Sequence, residues 1–176
     1  MLNYILIIVV AGLVILGVLI IRQPDQFRVT RTLKMAATPD TIFPHINNFR
    51  MWQSWSPWVE MDPNAVMHFE GPETGKGAKT TWKGNNQIGE GSLTILESVP
   101  SSLIRYRLDF IKPMAGISYS EFKFLPQGDQ TMVSWTMYGQ NTWMGKIIGL
   151  FMNCEKMIGT QFDKGLNNLK RVVEEN

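Results

Sequence analysis

The first feature of the sequence is an unbroken apolar run at its start. Residues 5–21 contain no polar side chain, and from residue 2 onward only Asn3 and Tyr4 interrupt the stretch. At about 1.5 Å per residue, a helix of this length spans roughly 25 to 30 Å, which matches the hydrocarbon core of a bilayer. A secretory signal peptide would instead carry basic residues before the run and a small-residue cleavage site after it. The pattern predicts a transmembrane helix over residues 2–21.

Beyond this run, the chain alternates apolar and polar residues with a period of two. In residues 27–35, Phe27, Val29, Leu33 and Met35 occupy one phase of the alternation. Similar segments cover residues 66–71, 78–97, 102–111, 117–126 and 131–139. Such alternation is typical of half-buried strands, and the turns between the segments are short. The pattern predicts an antiparallel sheet of six or seven strands.

The end of the chain changes to a helical period. Apolar residues recur there at spacings of three and four, at Ile158, Phe162, Leu166, Leu169 and Val173. This spacing predicts one long amphipathic helix within a helical stretch over residues 143–175. Glycines in its first half predict a break or a close backbone approach there. The fold class is therefore predicted to be α+β, with the curved sheet wrapped around this C-terminal helix.

The composition limits the number of domains and the classes of partner. The chain has 176 residues, of which 44% are hydrophobic, and its formal net charge is +2. We expect one domain over residues 27–176, joined to the membrane anchor by a short linker at 22–26. No cluster of Lys and Arg is dense enough for nucleic-acid binding. The single cysteine and the two distant histidines show no metal-ligand spacing, so we predict neither a metal site nor a cofactor.

The charges that follow the apolar run predict its orientation. Arg22, Arg28, Arg31 and Lys34 come after the run, while only the amino terminus precedes it. Cytoplasmic segments near a membrane helix carry an excess of Lys and Arg. We therefore expect a single-pass membrane protein with its soluble domain on the cytoplasmic side.

Tryptophans concentrate in one short segment. Trp52, Trp55 and Trp58 are three of the six tryptophans in the chain. Each indole can bury roughly 150 to 250 Å², so these rings are expected to cover other apolar groups. We predict that Trp55 and Trp58, fixed by Pro57, close the gap between the short helices and the sheet. A structural plug is favoured over a ligand lid.

Five stretches together resemble a known family. They are WSPW at 55–58, GKGAKTTWKGN at 75–85, GEGSLTI at 89–95, TMVSWTMYG at 131–139 and GTQFDKGLNNLK at 159–170. Their order resembles that of polyketide cyclase/dehydrase-type members of the SRPBCC (START, helix-grip) superfamily. The resemblance implies a helix-grip fold with a hydrophobic cavity that takes lipids, sterols, polyketides or other apolar ligands. It supplies no catalytic residues.

A cavity in such a fold lies between the sheet and the terminal helix. Its predicted ligand-binding residues are Trp58, Trp82, Tyr106, Phe110, Phe122, Trp135 and Phe162. We expect Tyr106, Phe110, Phe122 and Trp135 to face Phe162 across the cavity, with the other two tryptophans toward its rim. Aromatic and methionine side chains suit a pocket that accepts apolar ligands of several shapes.

Three functions are compatible with these features. The first, which we favour, is membrane-anchored binding of a lipid or another hydrophobic small molecule. The second is an enzyme of cyclase/dehydrase type that acts on an apolar polyketide-like substrate by acid/base chemistry. The third is an interaction module with a filled core. Cys154 is predicted to be a structural or surface residue, because nothing in the sequence places a base beside its thiol. The same is predicted for His45 and His68.

Overall fold

A computed structural model describes residues 2–175. Its α-helices are α1 (Leu2–Ile21), α2 (Pro39–Asn47), α3 (Pro57–Met61), α4 (Trp143–Phe151) and α5 (Cys154–Glu174), with a 3₁₀ helix at Phe49–Ser54. Its strands are β1 (Gln26–Met35), β2 (Val66–Glu70), β3 (Lys79–Lys83), β4 (Glu90–Val99), β5 (Leu103–Lys112), β6 (Gly116–Gln127) and β7 (Gln130–Gln140). The predicted α+β class is confirmed.

The seven strands form one antiparallel sheet. The strand order is β1-β7-β6-β5-β4-β3-β2, so β2 to β7 form a meander and β1 adds to β7. A register shift between Glu90 and Gly91 interrupts the pairing of β4 with β5. Such irregularities bend a sheet and increase its local twist. The curved sheet around a long terminal helix is the predicted helix-grip arrangement.

Helix α5 buries its apolar face against the inner face of the sheet. Phe162, Leu166, Leu169 and Val173 are buried, as the helical spacing predicts. Gly165 lets the helix come close to the sheet, because a Cβ there would lie 2.8 Å from Cζ3 of Trp135. The core therefore lies between α5 and the strands.

The predicted helical stretch at the end of the chain is two helices. Helix α4 ends at Phe151 and α5 begins at Cys154. The Asn153 side chain accepts a hydrogen bond from the Lys156 backbone N–H and caps α5. A close approach occurs at Gly159, where a Cβ would overlap the guanidinium of Arg31.

Helix α1 is long and apolar enough, by length and composition, to cross a membrane. Ile20 is its only buried residue among those whose side chains the structure describes. The segment after it is held against the domain. The Asn141 N–H donates a hydrogen bond of 2.7 Å to the Asp25 carbonyl, and Lys146 Nζ lies 2.5 Å from Asp25 Oδ1. The connection between α1 and the sheet is therefore short and fixed.

Candidate ligand-binding cavity

A cavity of about 350 Å³ lies between the sheet and the helices. Its buried wall consists of Phe49, Trp52, Ser56, Thr80, Ser120, Trp135, Met137 and Phe162. Its half-buried apolar wall consists of Trp58, Val59, Ala65, Met67, Trp82, Ile88, Leu93, Leu108, Phe110 and Ile158. Ligand pockets in proteins commonly measure about 300 to 1,000 Å³ and are mostly apolar. The volume and the lining suit a small apolar molecule.

Two predicted site residues form the buried end of the cavity. The rings of Trp135 and Phe162 stack with their centroids 4.0 Å apart and an interplanar angle of 8°. Trp135 comes from β7 and Phe162 from α5, so this pair joins the sheet to the helix. The Trp135 indole N–H donates a hydrogen bond of 2.9 Å to Ser120 Oγ, and Ser120 Oγ–H in turn donates to the Thr136 carbonyl. The indole orientation is therefore fixed.

Three further predicted residues lie nearer the mouth. Trp58 contacts Trp135 and Phe162, with centroid distances of 5.6 Å and 6.2 Å. Trp82 and Phe110 pack edge to face at 6.1 Å. All three side chains are half-buried lining residues. They therefore stand where the cavity reaches solvent.

The other two predicted residues, Tyr106 and Phe122, lie outside the lining and are fully buried. Trp52 covers both rings, with centroid distances of 5.7 Å to Tyr106 and 6.4 Å to Phe122. The Tyr106 hydroxyl donates a hydrogen bond of 2.8 Å to the Ile46 carbonyl. Burial raises the pKa of this phenol well above its usual range. Both residues belong to the core because the 3₁₀ helix fills this end of the space between sheet and helix.

The three clustered tryptophans have separate positions. Trp52 and Trp55 donate their indole N–H groups to the carbonyls of Ile46 and His45, at 2.9 Å and 3.0 Å. Trp55 is 1% exposed, so it fills the space between the short helices and the sheet. Trp58, which follows Pro57, lines the cavity, as Trp52 also does. The cluster is thus both a core plug and part of the cavity wall.

The wall contains one unsatisfied polar group. Thr80 is 1% exposed, and its Oγ1 has no hydrogen-bond partner within residues 2–175. Most buried hydroxyls in proteins are paired, because an unpaired one costs about 1 to 3 kcal/mol. Thr80 lies on β3 two residues before Trp82, in the same phase of the strand. A polar atom on a bound molecule can pair with this hydroxyl.

The one carboxylate of the lining is at the rim. Asp62 Oδ1 accepts a hydrogen bond of 3.1 Å from the Asn64 N–H, and its Oδ2 accepts one of 2.6 Å from the Asn85 N–H. The bond from Asn85 holds the turn after β3 against the end of α3. Residues 2–175 contain no group of three His, Cys, Asp or Glu residues placed to hold a metal ion.

Several lining residues were not predicted from the sequence. Leu108 shares the strand phase of Phe110, and Met137 shares that of Trp135, so the alternation could have identified both. Thr80 could have been found in the same way from Trp82. Phe49 and Trp52 carry no such signal, since they lie on the 3₁₀ helix.

Comparisons with known proteins agree with this architecture. The sequence model of a family described as polyketide cyclase / dehydrase and lipid transport matches residues 26–174. A comparison with curated proteins gives no match.

The solved structures that are similar share the fold at low sequence identity. A protein from Thermobifida fusca has 19% identity and a TM-score of 0.64, with 84% of this chain and 93% of that chain covered. A protein from Chromobacterium violaceum has 16% identity and a TM-score of 0.58, with 86% and 99% covered. DynU16, from the dynemicin biosynthetic locus, has 14% identity and a TM-score of 0.57, with 86% and 48% covered.

Proposed function

Because the chain belongs to the polyketide cyclase / dehydrase and lipid transport family, we propose that it binds a lipid or another hydrophobic small molecule in the cavity between sheet and α5. The observation that carries this proposal is the open volume of about 350 Å³ with an almost entirely apolar wall. Protein interiors are normally close-packed, so an opening of this size is costly unless it is used. It also argues against an interaction module with a filled core.

The ligand that fits this wall has an apolar body and one polar group. The stacked rings of Trp135 and Phe162 form an aromatic wall at the buried end, while Met67 and Met137 supply flexible side chains that adapt to shape. The unpaired Thr80 hydroxyl is the partner for a hydroxyl or carbonyl oxygen on the ligand. Amphipathic molecules such as fatty alcohols, sterols and hydroxylated polycyclic compounds have this character.

The membrane is part of the proposed function. Helix α1 provides the anchor and residues 22–26 the linker to the binding domain, with the domain on the cytoplasmic side. The linker supports a fixed distance between α1 and the binding domain, because Asp25 is bound by Asn141 and Lys146 of the domain. Five residues reach at most about 17 Å even when fully extended. The cavity is therefore held close to the bilayer, where hydrophobic molecules concentrate.

We favour binding over a cyclase-type reaction for a geometric reason. Acid/base catalysis needs a proton donor or acceptor directed at the substrate. Asp62 already accepts two backbone hydrogen bonds at the rim, and Ser120 uses its hydroxyl to bridge Trp135 and Thr136. Within residues 2–175, no side chain forms a hydrogen bond with the Thr80 hydroxyl, so no base contacts it there. The lining thus supplies contacts for a ligand more readily than a reaction centre.

Native mass spectrometry of the full chain extracted from membranes tests this proposal. We expect an additional mass that corresponds to a bound lipid or lipophilic metabolite. Leu93→Trp, which fills the cavity from β4, is expected to remove that mass. Thr94→Trp adds the same side chain at the next position, on the opposite face of the strand, and is expected to retain it. A bound mass equal in all three proteins, or absent from the unaltered chain, contradicts the proposal.

A further inference from the structure

We infer that α4 and its junction with α5 form a membrane-contacting surface, which lies in the lipid headgroup region and holds the cavity mouth toward the bilayer. The α4 surface consists of Trp143, Met144, Phe151, Met152 and Met157. This inference rests on the proposed anchoring by α1. It assigns a second contact with lipid, made by the folded domain itself.

The first observation is that α4 is an apolar helix that adds no buried residue to the core. Its sequence is WMGKIIGLF, with Lys146 as the only charge, and none of its residues is buried. Trp143 is 59% exposed and Phe151 is 77% exposed. Soluble domains leave single apolar residues in water, but a cluster of large apolar side chains marks a binding surface. An apolar helix with a tryptophan at one end is typical of a segment that lies in a membrane interface.

The second observation is that α4 is fixed beside the membrane helix. Helix α4 packs against α1. Lys146, the charged residue of α4, pairs with Asp25 in the segment that follows α1. Asn141, just before α4, donates hydrogen bonds to the carbonyls of Pro24 and Asp25. The apolar surface of α4 therefore continues the lipid-facing surface of α1 with no flexible segment between them.

The third observation places the cavity mouth at the same end of the sheet. In the register of β6 with β7, Ser118 pairs with Gly139, so Gly116 is level with Asn141. Gly116 pairs in turn with Phe110, a half-buried residue of the cavity wall. On the helical side, Ile158 lines the cavity next to the exposed Met157.

The β5–β6 turn adds to this end of the domain. Met114, in the turn beyond Phe110, is 45% exposed and lies at the same end of the sheet as α4. An exposed apolar side chain thus lies at this end of the domain on the strand side as well as on the helix side. A ligand dissolved in the bilayer would meet the cavity without crossing water.

A second copy of the chain is the alternative occupant of the α4 surface. Continuity with α1 favours lipid, because an anchor in the bilayer brings the adjoining helix to the same interface. The two occupants are distinguished by which small molecules reach the surface.

Spin labels on the full chain, reconstituted in vesicles of phosphatidylcholine and phosphatidylglycerol, provide the test. The native Cys154 is labelled directly, and Phe151→Cys and Asp129→Cys are labelled in a Cys154→Ser background. Asp129 lies in the β6–β7 turn at the opposite end of the sheet. Gly12→Cys in the same background reports on the anchor. All four sites avoid the core, and circular dichroism checks that each labelled protein is folded.

We expect the labels at Cys154 and Phe151→Cys to collide more often with oxygen than with a water-soluble nickel chelate, and the label at Asp129→Cys to show the reverse. If the α4 labels behave like Asp129→Cys while Gly12→Cys reports hydrocarbon, the α4 inference is wrong and the anchor stands. If Gly12→Cys is also in water, the anchoring proposal itself fails. Dipolar broadening between α4 labels, with both reagents excluded, assigns the surface to a second copy and overturns the inference.

Discussion

Replacement of Thr80 by valine should change two quantities in opposite directions: it should raise the stability of the empty protein and lower its affinity for a hydroxylated ligand. The substitution exchanges a buried hydroxyl without a hydrogen-bond partner for a methyl group of similar size. An unsatisfied buried hydroxyl costs about 1 to 3 kcal/mol. We therefore expect Thr80→Val to raise the free energy of unfolding by about 1 kcal/mol, since part of that cost is relieved. Valine also suits the extended backbone of β3.

The same substitution should weaken the binding of a ligand that carries a hydroxyl group. A hydrogen bond between neutral groups contributes about 0.5 to 1.5 kcal/mol net. Since 1.4 kcal/mol is a factor of ten, Thr80→Val should raise the Kd of a hydroxylated ligand by roughly twofold to tenfold. An apolar ligand of the same shape should bind the variant as well as the unaltered protein, or slightly better.

The assay uses residues 23–176, which keep the matched family region and avoid partition of the ligand into lipid. We expect this shorter chain to be soluble and folded, because Ile20 is the one buried residue among the described side chains of α1. Calorimetric titration compares 1-naphthol with 1-methylnaphthalene, which differ mainly in the hydroxyl. Urea denaturation gives the free energy of unfolding. Thr80→Ser, which keeps the hydroxyl, is the matched control and should keep the preference for 1-naphthol.

Two results would refute this reasoning. If Thr80→Val lowers the free energy of unfolding by more than about 1 kcal/mol, the hydroxyl has a stabilising partner in the protein. If the preference for 1-naphthol is unchanged in Thr80→Val, the hydroxyl does not meet the polar group of the ligand. The two measurements fail independently, so each part of the argument is tested by itself.

Two further predictions concern packing and pH. Gly165→Ala should lower the free energy of unfolding by about 1 to 3 kcal/mol, because the added Cβ would lie 2.8 Å from Trp135 and 3.0 Å from Pro57. Urea denaturation measures this change. The control is Gly149→Ala, which should not lower stability because no atom lies within 4 Å of the added Cβ. Burial lowers the pKa of His45 below its usual 6.5. The contribution of the neutral imidazole to stability is therefore complete above about pH 6.5 and should be lost as the pH falls through the pKa that His45 has in the folded state. Denaturation series between about pH 7 and 5 should show a weaker pH dependence in His45→Gln. An unchanged pH profile in His45→Gln would assign the acid sensitivity to other groups.

The strands were predictable because alternation is a local property of the chain. Leu103–Lys112 alternates one phase toward α5 and the other toward solvent, and this fixes which side chains can reach the cavity. The class of fold and the face of each strand follow from that pattern. The long amphipathic helix follows from its spacing in the same way.

Alternation could not predict which residues of one strand phase line the cavity and which belong to the filled core. Tyr106 and Phe110 share one phase of β5, but only Phe110 lines the cavity. The difference arises from the 3₁₀ helix, since Trp52 lies over Tyr106 and is fixed by its hydrogen bond to the Ile46 carbonyl. That contact joins segments distant in sequence, so no local period indicates it. The same contact explains why Phe122 is core and why Trp52 was missed as a wall residue.

The position of α4 outside the core was also not predictable from local spacing, and this position bears on the proposed function. In the sequence, residues 143–151 belong to the predicted helical stretch 143–175, in which the glycines predict a break or a close backbone approach. In the structure the chain breaks after Phe151, and α4 turns away from the sheet toward α1. Helix α4 contributes no buried residue, since α5, α2 and the 3₁₀ helix supply the helical side of the core. Apolar surface beyond what the core can cover must be stabilised elsewhere, and it lies at the end of the sheet where the cavity reaches solvent. This shared location links the anchor, α4 and the cavity in one proposed route for a ligand that comes from the membrane.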